Sequence, residues 1–225
     1  MKKFRFMFNR ELLLAVFLFS IPAFLLLSGG CGKKTPPSAE YSGVDTSDIY
    51  TLEVIKDRKM KDKYFLENEA SPLIPADRET FSGLKYYPPS RKYAFATVLQ
   101  RLAKPEEIVL ATSKDKPRLM LHIGYFPFTL EGKQYRLSVY APKDSSEGYS
   151  WFIPFKDATS GGETYGAGRF IDIDDTRSDS TFLDFNYCYN PYCAYNPRYD
   201  CPIPPPENTL GCAIPAGEKI LFEHH

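Results

Sequence analysis

The chain has few of the residues from which recognisable catalytic centres are built. It contains three histidines in 225 residues, and two of them are His224 and His225. The third, His122, lies in an apolar stretch and reads as a half-buried strand residue rather than a base. Neither G-x-S-x-G nor H-E-x-x-H occurs, which removes the nucleophile elbow and the helical zinc-protease signature. No two cysteines stand at the C-x₂-C spacing of structural zinc knuckles, so no metal is expected. Basic residues gather into no stripe, which argues against nucleic acid as a partner. The apolar run from Leu12 to Leu27 has 16 residues, short of the roughly 20 that cross a bilayer as a helix.

That run reads instead as part of an export signal. Lys2, Lys3, Arg5 and Arg10 precede it, and Gly29, Gly30 and Cys31 follow. A positive stretch, an apolar stretch and small residues describe a secretory signal over residues 1–30. Ser28-Gly29-Gly30-Cys31 resembles a bacterial lipobox, with Ser28 where leucine is usual, and Cys31 is expected to carry the lipid. The polar, proline-containing residues 31–45 suit a flexible tether. The membrane is then a partner through an N-terminal lipid, more firmly held by several acyl chains than by one. Gly32 stands where an aspartate signals inner-membrane retention. In a host with two membranes, the expected place is the outer membrane, facing the periplasm. Losing residues 1–30 removes four basic and one acidic side chain from 28 of each, leaving a net charge of about −3.

Residues 46–225 read as a single β-rich domain. Asp45 to Leu66 has helical spacing, with Ile49, Leu52, Ile55, Met60 and Tyr64 as the apolar face and Asp45, Thr46 or Ser47 as N-cap. Residues 70–92 read as a proline-punctuated connection with one helical turn near Asp77–Thr80. Stretches 92–102, 106–113, 118–130, 133–141 and 149–155 are rich in Val, Ile, Tyr and Phe and read as strands. Glu131-Gly132 reads as a hairpin tip. The fold class is therefore mainly β: an antiparallel sandwich or partly closed barrel, with an N-terminal helix and long irregular C-terminal loops.

Two later segments, 154–175 and 185–219, lack regular periodicity and are dense in Asp, Glu, Asn, Thr, Tyr and Arg. The pieces F-K-D-A-T-S-G-G-E-T-Y-G-A-G-R-F, D-F-N-Y-C-Y-N-P-Y-C-A-Y-N and C-P-I-P-P-P-E-N-T-L, closed by A-G-E-K, resemble a bacterial family catalogued as domain of unknown function 1684. The resemblance runs from about Ile49 to Lys219 and implies no activity. Cys193 and Cys201 match cysteines of the family. Cys188 stands where a small residue is usual, and Cys212 where an aliphatic one is. The four cysteines allow three pairings, and export favours disulfides. The resemblance implies Cys193–Cys201 with Cys188–Cys212 nested around it.

Stiffened by these cysteines and by prolines 202, 204, 205 and 206, the two segments are expected to present one rigid face to an unknown envelope ligand. The binding candidates are Asp157, Thr159, Glu163, Tyr165 and Arg169 from the first segment. The second offers Asn186, Asn190, Glu207 and Asn208, with Glu218 further on. A small polar ligand, a glycan or a protein would suit such a face. The alternative is a carboxylate-dependent hydrolase using Asp157 and Glu163. No cofactor is expected: G-A-G within GGETYGAGR lacks the strand–turn–helix setting of a dinucleotide loop. IDIDDTRSD places Arg177 where an EF-hand needs glycine.

Overall fold

The computed structural model describes residues 44–114, 116–143, 150–174 and 178–221. The signal over residues 1–30, Cys31, most of the tether, Asp175, Arg177 and the two terminal histidines lie outside them. Among the described residues no helix is long and apolar enough to cross a membrane.

Helix α1 (Ile49–Glu67) begins at Asp48, whose carboxylate accepts from the backbone and hydroxyl of Thr51 and from Arg91. That is the capping chemistry expected of an aspartate, one residue beyond the expected caps. The buried face is not the expected one. Thr51, Val54, Ile55, Arg58, Asp62 and Phe65 point inward, while Ile49 stays 72% and Leu52 46% exposed. Of the five expected positions only Ile55 is buried. The reason is polar anchorage. The Arg58 guanidinium donates to the carbonyls of Tyr87 (2.8 Å) and Asn186 (3.3 Å), and Asp62 accepts from the backbone of Leu84 (2.9 Å). A short helix, α2 (Pro75–Thr80), follows where one turn was expected.

The strands are β1 (Ala94–Val98), β2 (Gln100–Leu110), β3 (Arg118–Leu130), β4 (Lys133–Pro142), β5 (Ser150–Phe155), β6 (Arg169–Asp174) and β7 (Ser180–Asp184). They form two antiparallel sheets, β2-β3-β4-β5-β6 and β1-β7, in a sandwich-like arrangement with no closed barrel. Glu131 and Gly132 both have positive φ (51° and 77°), the geometry of a two-residue hairpin loop whose twist matches its strands. The stretch expected as one strand over 92–102 divides at Leu99, so that β1 pairs with β7 and β2 with β3. Lys104-Pro105, in the gap between two expected strands, lies inside β2 where the register with β3 shifts. Proline is tolerated there because an edge strand need not donate every amide.

β6 lies in a stretch that reads as irregular, and β7 falls between the two such stretches. β6 carries Ile171 and Ile173 in the core between Asp172 and Asp174, a strict alternation masked by its acidic content. One face of the large sheet meets the small sheet over Phe126, Leu137, Val139, Ile153, Phe155 and Leu183, all fully buried. Phe185 stands between the rings of Phe128 and Phe155 at 5.4 and 5.2 Å. The opposite face, with Tyr140, Phe152 and Phe170, is covered by the loop bearing Tyr189, Cys193 and Cys201.

Candidate ligand cleft

The residues that looked most able to bind serve largely to brace the interior. Arg169, at the start of β6, is completely buried. Its guanidinium donates to Asp157 (3.2 Å) and to the carbonyls of Ile214 (2.9 Å) and Ala216 (2.5 Å). Asp157 in turn accepts from the backbone of Ile214 (2.6 Å) and from Thr159 (2.9 Å), which meets Thr164 at 2.9 Å. This buried ion pair ties the end of β5 to the C-terminal segment. Gly217, with φ 72°, lets that segment pass against Cys188 and Phe185 with no room for a β-carbon.

The asparagines do similar work. Asn208 accepts from the Ser138 amide (2.8 Å) and donates to the carbonyls of Ser138 (2.9 Å) and Pro154 (2.8 Å), joining the 3₁₀ turn at 206–208 to β4 and β5. Asn186 brackets Ser90 through both backbone groups at 2.8 Å. Asn190 donates to Lys219 O (2.9 Å), and its amide N–H donates to Glu218 (2.7 Å). Glu163 is exposed and pairs with Lys219 at 3.1 Å, a contact that lowers its pKa below the ordinary carboxylate value. Glu207, also exposed, accepts from Tyr140 OH at 2.9 Å. The Tyr165 hydroxyl lies 3.9 Å from Cys193 Sγ, and burial raises its pKa. Asp157 and Arg169 are thus brought together, whereas Glu163 and Glu207 sit at the surface and Asn208 braces β4 and β5.

The cysteines correct the sequence reading. All four are free thiols, and neither Cys193–Cys201 nor Cys188–Cys212 forms a disulfide. Cys188 is buried and points at the carbonyl of Ala216 (3.4 Å); burial pushes its pKa up to about 11. Cys212 packs at the edge of the main core. Cys193 and Cys201 are neighbours, with the Cys193 amide 3.3 Å from the Cys201 sulfur. Hydrogen bonding from the Cys201 thiol brings Cys193 down to about 7 and pushes Cys201 up. Burial and packing, rather than cross-links, hold this loop.

An open cavity lies elsewhere, between α1 and the β6–β7 side of the sheets. It measures about 740 Å³, within the range of small-molecule sites. One of its two deeply buried charged groups is Arg58, 2% exposed, with its guanidinium 4.5 Å above the Tyr86 ring and its Nε without a hydrogen-bond partner. Beside it Lys61 pairs with Glu218, itself held by Tyr195 OH (2.7 Å) and the Asn190 amide, and lies 4.8 Å over the Tyr189 ring. Tyr189 OH donates to Asp172 (2.6 Å) and Tyr50 OH donates to Asp184 (2.8 Å). Burial raises the pKa of both tyrosines, so they remain protonated donors. The rim is apolar: Ile49, Met60 and Phe182 all line the mouth while 72%, 37% and 65% exposed.

Of the binding and cysteine residues named from sequence, only Asn186, Glu218 and Cys188 touch this cleft. Arg58, Lys61, Tyr50, Asp172, Asp184 and Tyr189 were missed. One signal existed: Arg58 and Asp62 stand four residues apart on the stripe that also holds Val54, Ile55 and Phe65, a placement that demands buried partners.

A family model described as "Protein of unknown function (DUF1684)" matches residues 79–219. A solved structure, the solution NMR structure of an uncharacterized protein of Haloarcula marismortui, is 34% identical. It covers 77% of this chain and 95% of its own, with a TM-score of 0.61. No curated protein matches.

Proposed function

From the premise that the chain belongs to the DUF1684 family, we propose that it is a cell-envelope protein, tethered by lipid at Cys31, that binds a small amphipathic ligand in the α1 cleft. The observation that carries the reading is the cleft: a cavity of about 740 Å³ bordered by Arg58, a guanidinium 2% exposed whose terminal nitrogens meet carbonyls and no bonded carboxylate. The apolar rim provides the complementary surface for the ligand's body. In a host with two membranes, the tether places the cleft in the periplasm at the outer membrane. The hydrolase alternative has less support, because the Asp157 side chain is wholly enclosed and bonded to Arg169 and Ile214.

Two experiments test the two halves. Cys31→Ala abolishes fatty-acid labelling and releases the protein from the membrane fraction; unchanged labelling rejects the anchor. A fragment library titrated into the ¹⁵N-labelled chain should move amides of Asp57–Lys61 and Ile171–Asp174. A library whose hits all fall outside these residues rejects the cleft.

A further inference from the structure

Outside the cleft, the small sheet and α1 share a surface that is apolar where polar side chains are the rule. In β1 and β7, Phe95, Thr97 and Leu183 turn toward the core. Alternation therefore sends Ala94, Ala96 and Val98 outward, with Phe182 directly opposite Ala96. An antiparallel sheet with one face on the core usually carries polar residues on the other. Across the mouth of the cleft, α1 presents Ile49 and Met60, with Leu52 beside them.

The same side of α1 holds Lys56, Lys59 and Lys63, all exposed. At 3.6 residues per turn, these three and Ile49, Leu52 and Met60 fall within about 100° of the helix circumference. Glu67 shares the arc and pairs with Lys63 at 3.8 Å, and Glu53 stands at its edge. Apolar side chains interleaved with lysines on an outward helix face suit the boundary between lipid headgroups and acyl chains.

The position of this surface along the chain selects its partner. Val44, where the described domain begins, is thirteen residues from Cys31, a span of at most about 45 Å. Ile49 opens α1 five residues later, so the apolar surface lies at the end of the domain that a lipid on Cys31 holds to the bilayer. A second exposed apolar pair, Val109 and Leu119 on β2 and β3, has no such connection. A second copy of the chain, packed face to face, would bring the lysines of the two α1 helices together. Anionic headgroups would answer them instead.

Resting on the lipid anchor at Cys31, we infer that this face docks on the bilayer. Ile49, Leu52 and Phe182 enter the headgroup–acyl boundary, Lys56, Lys59 and Lys63 meet anionic headgroups, and the mouth of the cleft faces the lipid.

The test uses the lipid-bearing full chain in vesicles of phosphatidylcholine and phosphatidylglycerol, with acyl chains brominated or not. Phe182→Trp is compared with Val109→Trp. The two sites are 65% and 63% exposed, and the native Trp151 is buried and gives a common background. Brominated chains should quench the emission of Phe182→Trp and leave that of Val109→Trp unchanged. Ile49→Trp provides the same comparison if Phe182→Trp fails to fold. Equal quenching in vesicles without phosphatidylglycerol would remove the lysines from the contact. If the chain floats with the vesicles but both variants are quenched alike, the docking face falls while the anchor stands. If the Phe182→Trp emission follows protein density and not bromination, a second copy covers the face and the inference also falls. A chain that does not float with the vesicles overturns the anchor and this inference together.

Discussion

Two buried arginines, Arg58 and Arg169, show how differently the molecule uses the same side chain. Both donate to backbone carbonyls through their terminal nitrogens, and in both the Nε lacks a partner. Arg169 is enclosed on every side, neutralised by Asp157, and fastens the C-terminal segment to the sheet. Arg58 borders an open cleft and is faced by an aromatic ring and carbonyls instead of a bonded carboxylate. The first is a brace. The second has the surroundings of a binding group. Polar density along the chain marks the braces, whereas the cleft is assembled from residues far apart in sequence.

The largest effect should come from breaking the brace. Arg169→Met leaves Asp157 charged and unpaired in the interior, a loss of about 3–5 kcal/mol of the stability of an ordinary domain, read as a collapse of the urea midpoint. Arg58→Met, by comparison, should cost about half as much or less, because no bonded counter-charge is stranded; its main effect is lost ligand binding. Equal destabilisation by the two would erase the distinction. Next comes Asn208→Ala, which strips three hydrogen bonds from a wholly buried site and should cost about 1–3 kcal/mol without altering the cleft.

Tyr189→Phe is smaller still in stability, about 1 kcal/mol or less. It removes the Tyr189 donor from a residue at the cleft wall and should change ligand affinity more than the melting temperature.

The smallest effect on stability belongs to the thiols, where the contrast is chemical. Cys193 titrates near 7 and Cys188 near 11. Iodoacetamide should therefore label Cys193 with a rate that rises from pH 6 to 8 and spare buried Cys188. Because the folded Cys193 pKa lies below its ordinary value, its contribution to stability is present above pH 9 and fades as pH falls through about 7.

The β-rich class, the Glu131-Gly132 hairpin and four of the strands were legible because alternation and turn chemistry are local. β6 was not, because Asp172 and Asp174 alternate with Ile171 and Ile173 and their acidity masked the strand. The α1 face was misassigned because counting apolar residues alone overlooked Arg58 and Asp62, whose partners at Tyr87, Asn186 and Leu84 are distant in sequence. Asp157, Arg169, Asn186 and Asn208 stood out correctly as unusual. Their internal bonding depends on the 214–218 segment, Ser90 and Ser138, contacts that no local pattern reveals. The disulfides were inferred from export and family resemblance, and the chain instead keeps Cys188 facing Ala216 and Cys212 at the core edge. The cleft draws on α1, Tyr86, β6, β7 and the 186–192 loop together, so no single stretch announces it.

The central claim is that α1 and β6, not the 157–165 turn or the 207–208 loop, form the ligand site. Amide shift mapping of the full chain during titration with the fragment library tests it most directly. The account predicts saturable shifts at Asp57–Lys61 and Ile171–Asp174. Saturable shifts confined to Glu163, Tyr165, Glu207 and Asn208 would contradict it.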